Sequence, residues 1–204
     1  DQFLIDLLSD EAMQTSAIEG EMLDRQSVQS SLRRHFGLAS NGDAAKPKEQ
    51  GVAEMMIDIY STYSEPIINE TLFRWHNMLL SHDQRLETIG GYRQHGDAMQ
   101  IVSGRIDRPT VHFEAPSSNN VPIEMGHYLE WFNRTQPSGT EPLPALTRAG
   151  LSHLYFASIH PFEDGNGRLG RAWEEKSLAQ NIVQTSLIEL PYKSESERQA
   201  TEDP

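Results

Sequence analysis

Cysteine is absent from the 204-residue chain, which excludes disulfides, thiolate metal sites and a cysteine nucleophile. Basic residues are scarce: 17 Lys and Arg stand against 30 Asp and Glu, a formal charge of −13. A surface of that sign repels phosphate backbones, and no basic stripe offsets it, so this chain is not expected to bind nucleic acid. No apolar run approaches the roughly 20 residues that span a bilayer, so no membrane partner is expected either. The lack of thiols fits a reducing compartment, and a bacterial-type cytoplasmic location is the expectation. The chain opens on Asp1 with no charged-then-apolar leader pattern, which suits the ordered part of something longer.

What is present is mostly helical periodicity. Apolar residues recur three and four apart over 3–18, with a restart expected at Ser9 and Asp10 and a left-handed stop at Gly20. Further helices are expected over 27–36 with Ser27 as cap, over 50–63, over 69–80 capped by Asn69 or Thr71, over 121–132, over 145–159 and over 167–180. The helix over 145–159 is apolar nearly all round in its second half, which places it at the centre of a bundle. Two β-branched and aromatic runs, "MQIVS" and "TVHFEAP", form one hairpin with a longer loop. The expected fold is mainly α: a helical bundle with one β-hairpin. It divides into an N-terminal segment 1–40, a core 41–193 and a polar tail 194–204.

One stretch does not fit a packing role. Residues 160–171 read His-Pro-Phe-Glu-Asp-Gly-Asn-Gly-Arg-Leu-Gly-Arg, between two expected helices. Backbone N–H groups of Gly165, Asn166 and Gly167 can form an anion-binding concavity, to which the next helix adds its positive end. Arg168 and Arg171, three apart, share a face and can close on phosphate oxygens. Asp164 is a hard oxygen ligand suited to a Mg²⁺ that bridges phosphates, and His160 is the natural base for an attacking hydroxyl. Phe162 is expected in the core and Glu163 in solvent.

This stretch resembles the signature of the Fic family, His-x-Phe-x-Asp/Glu-Gly-Asn-Gly-Arg-x-x-Arg, at every fixed position. The resemblance implies transfer of AMP from ATP to a Ser, Thr or Tyr hydroxyl of a target protein. By position, His160 would be the general base, Asp164 the Mg²⁺ ligand, Gly165, Asn166 and Gly167 the phosphate cradle with Asn166 as a further contact, and Arg168 and Arg171 the clamps. The segment "GGYRQHGDAMQIVSGRIDRPTVHFEAP", residues 90–116, resembles the family's pre-flap and flap hairpin, which lines the active site and aligns a target segment by strand addition. Thr15 to Gly20, "TSAIEG", resembles the family's inhibitory motif Ser/Thr-x-x-x-Glu-Gly/Asn, and implies autoinhibition by Glu19 through Arg171. Alternatives on the same residues are removal of AMP from a modified hydroxyl, or a nucleotide-sensing regulator lacking its C-terminal DNA-binding module. The implied partners are ATP and a target protein, with a homodimer as a further expectation.

Overall fold

The computed structural model of the chain describes residues 2–38, 46–105 and 108–185. Among them, seven helices and one two-stranded sheet follow one another: α1 Gln2–Ile18, α2 Arg25–His35, α3 Pro47–Ser61, α4 Asn69–Leu80, β1 Gln100–Arg105, β2 Arg108–Glu114, α5 Val121–Arg134, α6 Ala145–Ile159 and α7 Asn166–Thr185. The mainly α bundle with a single hairpin is therefore observed. The tail from 194 lies outside the described residues.

The helix ends differ from expectation for local reasons. Helix α1 runs unbroken through Ser9, whose buried hydroxyl donates to the Ile5 carbonyl one turn back and so needs no break in the helix. Helix α2 is capped by Asp24 rather than Ser27: the Asp24 carboxylate accepts the Ser27 N–H, and an ionised acceptor there also meets the helix's positive end. Pro47 opens α3 at its first turn, where a missing N–H costs nothing. Helix α4 has neither expected cap; Ile68 holds that position, and Asn69 instead accepts the Tyr92 hydroxyl.

One hydrophobic core runs from Ile5 and Leu8 in α1 to Leu169 and Trp173 in α7. Its middle is α3, where Val52, Ala53, Met55 and Ile59 are fully buried. The valine, methionine and isoleucine among them contribute about 1.5–3 kcal/mol each on burial. Central placement of α6 is overturned: Leu146, Leu151 and Leu154 are exposed, and only the face with Arg148, Ala149, Ser152, Phe156 and Ile159 is buried. The aromatic density comes from other elements. Trp173 packs edge-on to Tyr128, Phe132 and Trp75, at centroid distances of 5.2, 4.8 and 5.9 Å.

Strands β1 and β2 pair antiparallel with an irregularity between Ile101 and Val102. Ile101, Val102, Val111 and Phe113 are all largely exposed, so the hairpin projects from the bundle with apolar side chains uncovered.

Candidate active site

The loop between α6 and α7 is built to hold one shape. Proline at 161 pushes its predecessor out of the helical region, and α6 indeed stops at Ile159. His160 takes φ 50 and ψ 60, left-handed and the one non-glycine with positive φ among the described residues. That conformation costs about 1–3 kcal/mol and persists only where neighbours enforce it.

Three sets of contacts do so. Phe162 is fully buried, as expected, and stacks on His76 at 4.2 Å. His76 accepts the Gly90 N–H at Nδ1 and, through Nε2–H, donates to the Asp164 carbonyl at 3.3 Å. Burial pushes its pKa down to about 4, so the ring is neutral and this tautomer is fixed. The Asn166 carboxamide forms a closed ring with Phe162, accepting its N–H at 3.0 Å and donating to its carbonyl at 2.8 Å. Arg93 donates to the His160 carbonyl at 2.7 Å. The sequence reading missed His76 and Arg93. Asn166 is expected as a further phosphate contact; both polar atoms of its side chain are taken up by the loop, which leaves its backbone N–H for that role. Glu163 is likewise not simply solvated, because it accepts the Glu87 N–H.

Helix α7 begins at Asn166, and the first turn leaves the N–H groups of Asn166, Gly167 and Arg168 without intrahelical acceptors. Into this end comes the C-terminus of α1. Gly20, at φ 75, closes α1 with paired bonds from Glu21 N to the Ser16 carbonyl and from Gly20 N to the Ala17 carbonyl, an arrangement that requires a left-handed residue between them. It aims the carboxylates on either side of Gly20 at the same helix. Glu19 accepts from Arg171 Nη2 at 2.6 Å, and Arg171 also donates to the Thr15 hydroxyl at 2.8 Å and carbonyl at 3.0 Å. Glu21 accepts from Arg168 Nη1 at 2.7 Å, with Lys48 3.4 Å away.

The Glu19 carboxylate lies so close over Gly167 that a Cβ there would fall 2.0 Å from its Oε1. A side chain at 167 would have to displace Glu19 from this pose, and the approaching group is an anion at a helix N-terminus. The Arg168 side chain is 2 % exposed, and its Nε–H has no partner among the described residues. A buried donor left open beside that cradle is a place for a further acceptor.

His160 is half-buried. Burial holds its imidazole below the ordinary range, helped by the Arg93 charge and opposed by the Ala157 carbonyl, Asp164 and Glu19. It is neutral near pH 7 and able to accept a proton. The Asp164 carboxylate is about half exposed, accepts the Gly165 N–H and lies 3.9 Å from Arg168. No cluster of three or more metal-ligating side chains occurs among the described residues. A single open carboxylate beside an anion cradle suits Mg²⁺ that keeps waters and shares phosphate oxygens. Trp173 and Glu174 turn away from this cradle, the first into the core and the second to His153.

The sequence reading thus brought together Glu19, His160, Asp164, Gly165, Gly167, Arg168 and Arg171, and the structure places them around one helix end. It did not find Glu21. Glu21 stands two residues past Glu19, across the glycine that stops α1.

Similarity to known proteins follows the same outline. Residues 1–38 match a domain of unknown function, DUF4172. The "Protein adenylyltransferase Fic" of Nematostella vectensis is 26% identical over 160 residues, 77% of this chain but only 34% of its own length. A Fic family protein from Desulfovibrio desulfuricans is 26% identical with a TM-score of 0.56, covering 91% of this chain and 54% of the other. A Fic domain containing signaling protein from Bacteroides thetaiotaomicron is 21% identical with a TM-score of 0.64, over 86% and 64%. Residues 66–178, which contain the hairpin, the loop and the start of α7, match the Fic/DOC family, and the chain belongs to that family.

Proposed function

We propose that the chain is a protein adenylyltransferase restrained by its own α1. The observation that carries this reading is the Glu19 carboxylate lying over Gly167 and on Arg171, in the position an anionic ligand would take. The similarity to an adenylyltransferase supports the group transferred.

In the proposed reaction the triphosphate of ATP lies along the start of α7, held by backbone N–H groups from Asn166 onward and by Arg168 and Arg171. Asp164 would hold Mg²⁺, which when bound neutralises phosphate charge. A target hydroxyl attacks the α-phosphorus; the new O–P bond forms as the bond to the bridging oxygen of pyrophosphate breaks. His160 takes the hydroxyl proton, and pyrophosphate leaves with the electrons of the broken bond. The exposed hairpin offers strand edges along which a target segment aligns.

With Glu19 on Arg171, the cation that would meet the terminal phosphate is occupied, and the α-phosphate is not presented for in-line attack. Glu19 is 38% exposed, so solvent screening reduces the restraint to about 2 kcal/mol, about thirtyfold in rate. The Glu19→Gly chain incubated with labelled ATP and Mg²⁺ should therefore gain covalent label about thirtyfold faster. Intact mass should rise by one AMP, and His160→Ala should abolish the gain. Unchanged labelling in Glu19→Gly removes the restraint. Nucleotide retained without covalent label would favour a sensor, and AMP lost from a pre-modified target only while Glu19 is present would reverse the direction of the reaction.

A further inference from the structure

Arg93 lies in the segment between α4 and β1, in the stretch that resembles the family's pre-flap, and that resemblance gives it no role. It is 2% exposed, yet no carboxylate pairs with it among the described residues. Its partners are neutral oxygens. Nε donates to the His160 carbonyl at 2.7 Å, Nη2 to the Pro116 carbonyl and more weakly to that of Ile159 at 3.4 Å, and Nη1 to the Ser118 hydroxyl at 2.8 Å. Its own N–H donates to the Pro161 carbonyl at 2.9 Å. Ser118 passes the chain on to the His95 carbonyl.

We infer that Arg93 is the positioning residue for His160: its planar fork holds the histidine's left-handed backbone and ties it to the chain that leaves the hairpin. The argument is geometric. The one non-glycine with positive φ among the described residues has its carbonyl, and those on both sides of it, bound by one residue. A guanidinium alone among side chains supplies several donors in fixed directions. The other end of the same fork grips Pro116 and Ser118, just beyond β2. The base of the hairpin and the imidazole are thereby referenced to one rigid group, so that a target strand seated on the hairpin would meet the ring at a set distance. Nothing in the fork touches the anion cradle at the start of α7, which separates alignment of the base from nucleotide affinity.

This role rests on the transferase reading for its effect on turnover, but not for its effect on His160. The test uses the full chain carrying Glu19→Gly, with Arg93→Gln, Arg93→Lys or Ser118→Ala added. The ¹³Cα and ¹³Cβ shifts of His160, which report a left-handed backbone, are read together with turnover and ATP affinity. Arg93→Gln should move the shifts toward those of an ordinary residue and lower kcat for AMP transfer about tenfold or more, with ATP affinity within about twofold. Arg93→Lys should restore little, because an ammonium cannot span the three carbonyl directions. Ser118→Ala, which removes one arm and leaves the core intact, should shift His160 part of the way and keep the role testable if Arg93→Gln does not fold. His160 shifts unchanged in a folded Arg93→Gln or Ser118→Ala chain, or ATP affinity falling in step with turnover, would overturn the inference. If the Glu19→Gly chain transfers no AMP, the transferase reading fails, and the shifts still decide the positioning role because they need no turnover.

Discussion

Five buried or largely buried cations among the described residues divide into two groups by what they bind. Arg93, Arg148 and Lys176 have no acid partner among the described residues. Arg148 donates to the Phe132 carbonyl at 2.8 Å, the Gln180 side-chain oxygen at 2.8 Å and the hydroxyls of Thr135 and Ser177, and lies 4.0 Å over the Phe132 ring; Lys176 donates to the Thr62 carbonyl. Arg168 and Arg171 bind carboxylates, and both acids come from the end of α1. Neutral oxygens in fixed helices and loops cannot be exchanged for a ligand, and their cations join elements permanently. A carboxylate from a separate helix can be replaced by any anion of the same reach. The difference teaches where to look for a site: not where cations are buried, but where the group that satisfies them is removable.

The largest effect that would break this division is one of stability. Arg148→Met keeps an apolar stem but removes the donors to the Phe132 carbonyl and the Gln180 side-chain oxygen between α5, α6 and α7. It should lower unfolding free energy by about 3 kcal/mol or more in a denaturant titration. Arg171→Met frees a partly exposed acid and should lower it by about 1 kcal/mol, while reducing ATP affinity in the Glu19→Gly chain about a hundredfold. Equal stability losses from the two substitutions would mean that Arg171 is architecture as well, and the division would fall.

Glu21 sharpens it. Its partner Arg168 is the more buried arginine, with Asp164 3.9 Å away as its other acid. Glu21→Gln leaves that cation short of charge, which an incoming triphosphate supplies. ATP binding, measured by calorimetry with a non-hydrolysable analogue, should tighten about tenfold even with Glu19 in place. Unchanged or weaker affinity would make Glu21 a tether of α1 and nothing more.

The parts of this arrangement legible in the sequence are those written in contiguous residues. The loop from His160 to Arg171 carries its chemistry in one run, and the helices announce themselves by apolar spacing. Periodicity identifies the apolar side chains of α6 but not which of them find partners: Leu151 and Leu154 are exposed, and α3 occupies the centre. Composition likewise shows that Asn166 can bond, but not that the Phe162 backbone takes both of its polar atoms. Arg93 and His76 reach the loop from 67 and 88 residues away, and no local pattern records such a contact. Glu21 was hidden for a smaller reason: only the geometry of the turn at Gly20 shows that both flanking acids face one helix.

The smallest expected effect concerns Lys176, the one member of the permanent group that can lose its charge near physiological pH. Burial pushes its pKa down to about 8 against the pull of Glu65 and Asp58, with Arg148 adding to the depression. The unfolded chain holds that proton up to about 10.4, so between about pH 8 and pH 10 the unfolded state binds more protons than the native one. Stability must therefore rise with pH across that window. Above it, the raised hydroxyls of Tyr60, Tyr92 and Tyr128 act in the opposite direction, because the unfolded chain then loses protons first. From pH 8 to 9.5 the gain should be about 1 kcal/mol, read as a shift in denaturant midpoint, and Lys176→Met should flatten it. The same substitution should leave stability at pH 7 unchanged or slightly higher, because it removes a buried charge that makes no close ion pair among the described residues and hydrogen-bonds the Thr62 carbonyl. A marked loss at pH 7 would show that the ammonium, rather than the packing of its stem, holds α7 to the end of α3, and would set Lys176 apart from a cation that the fold merely tolerates.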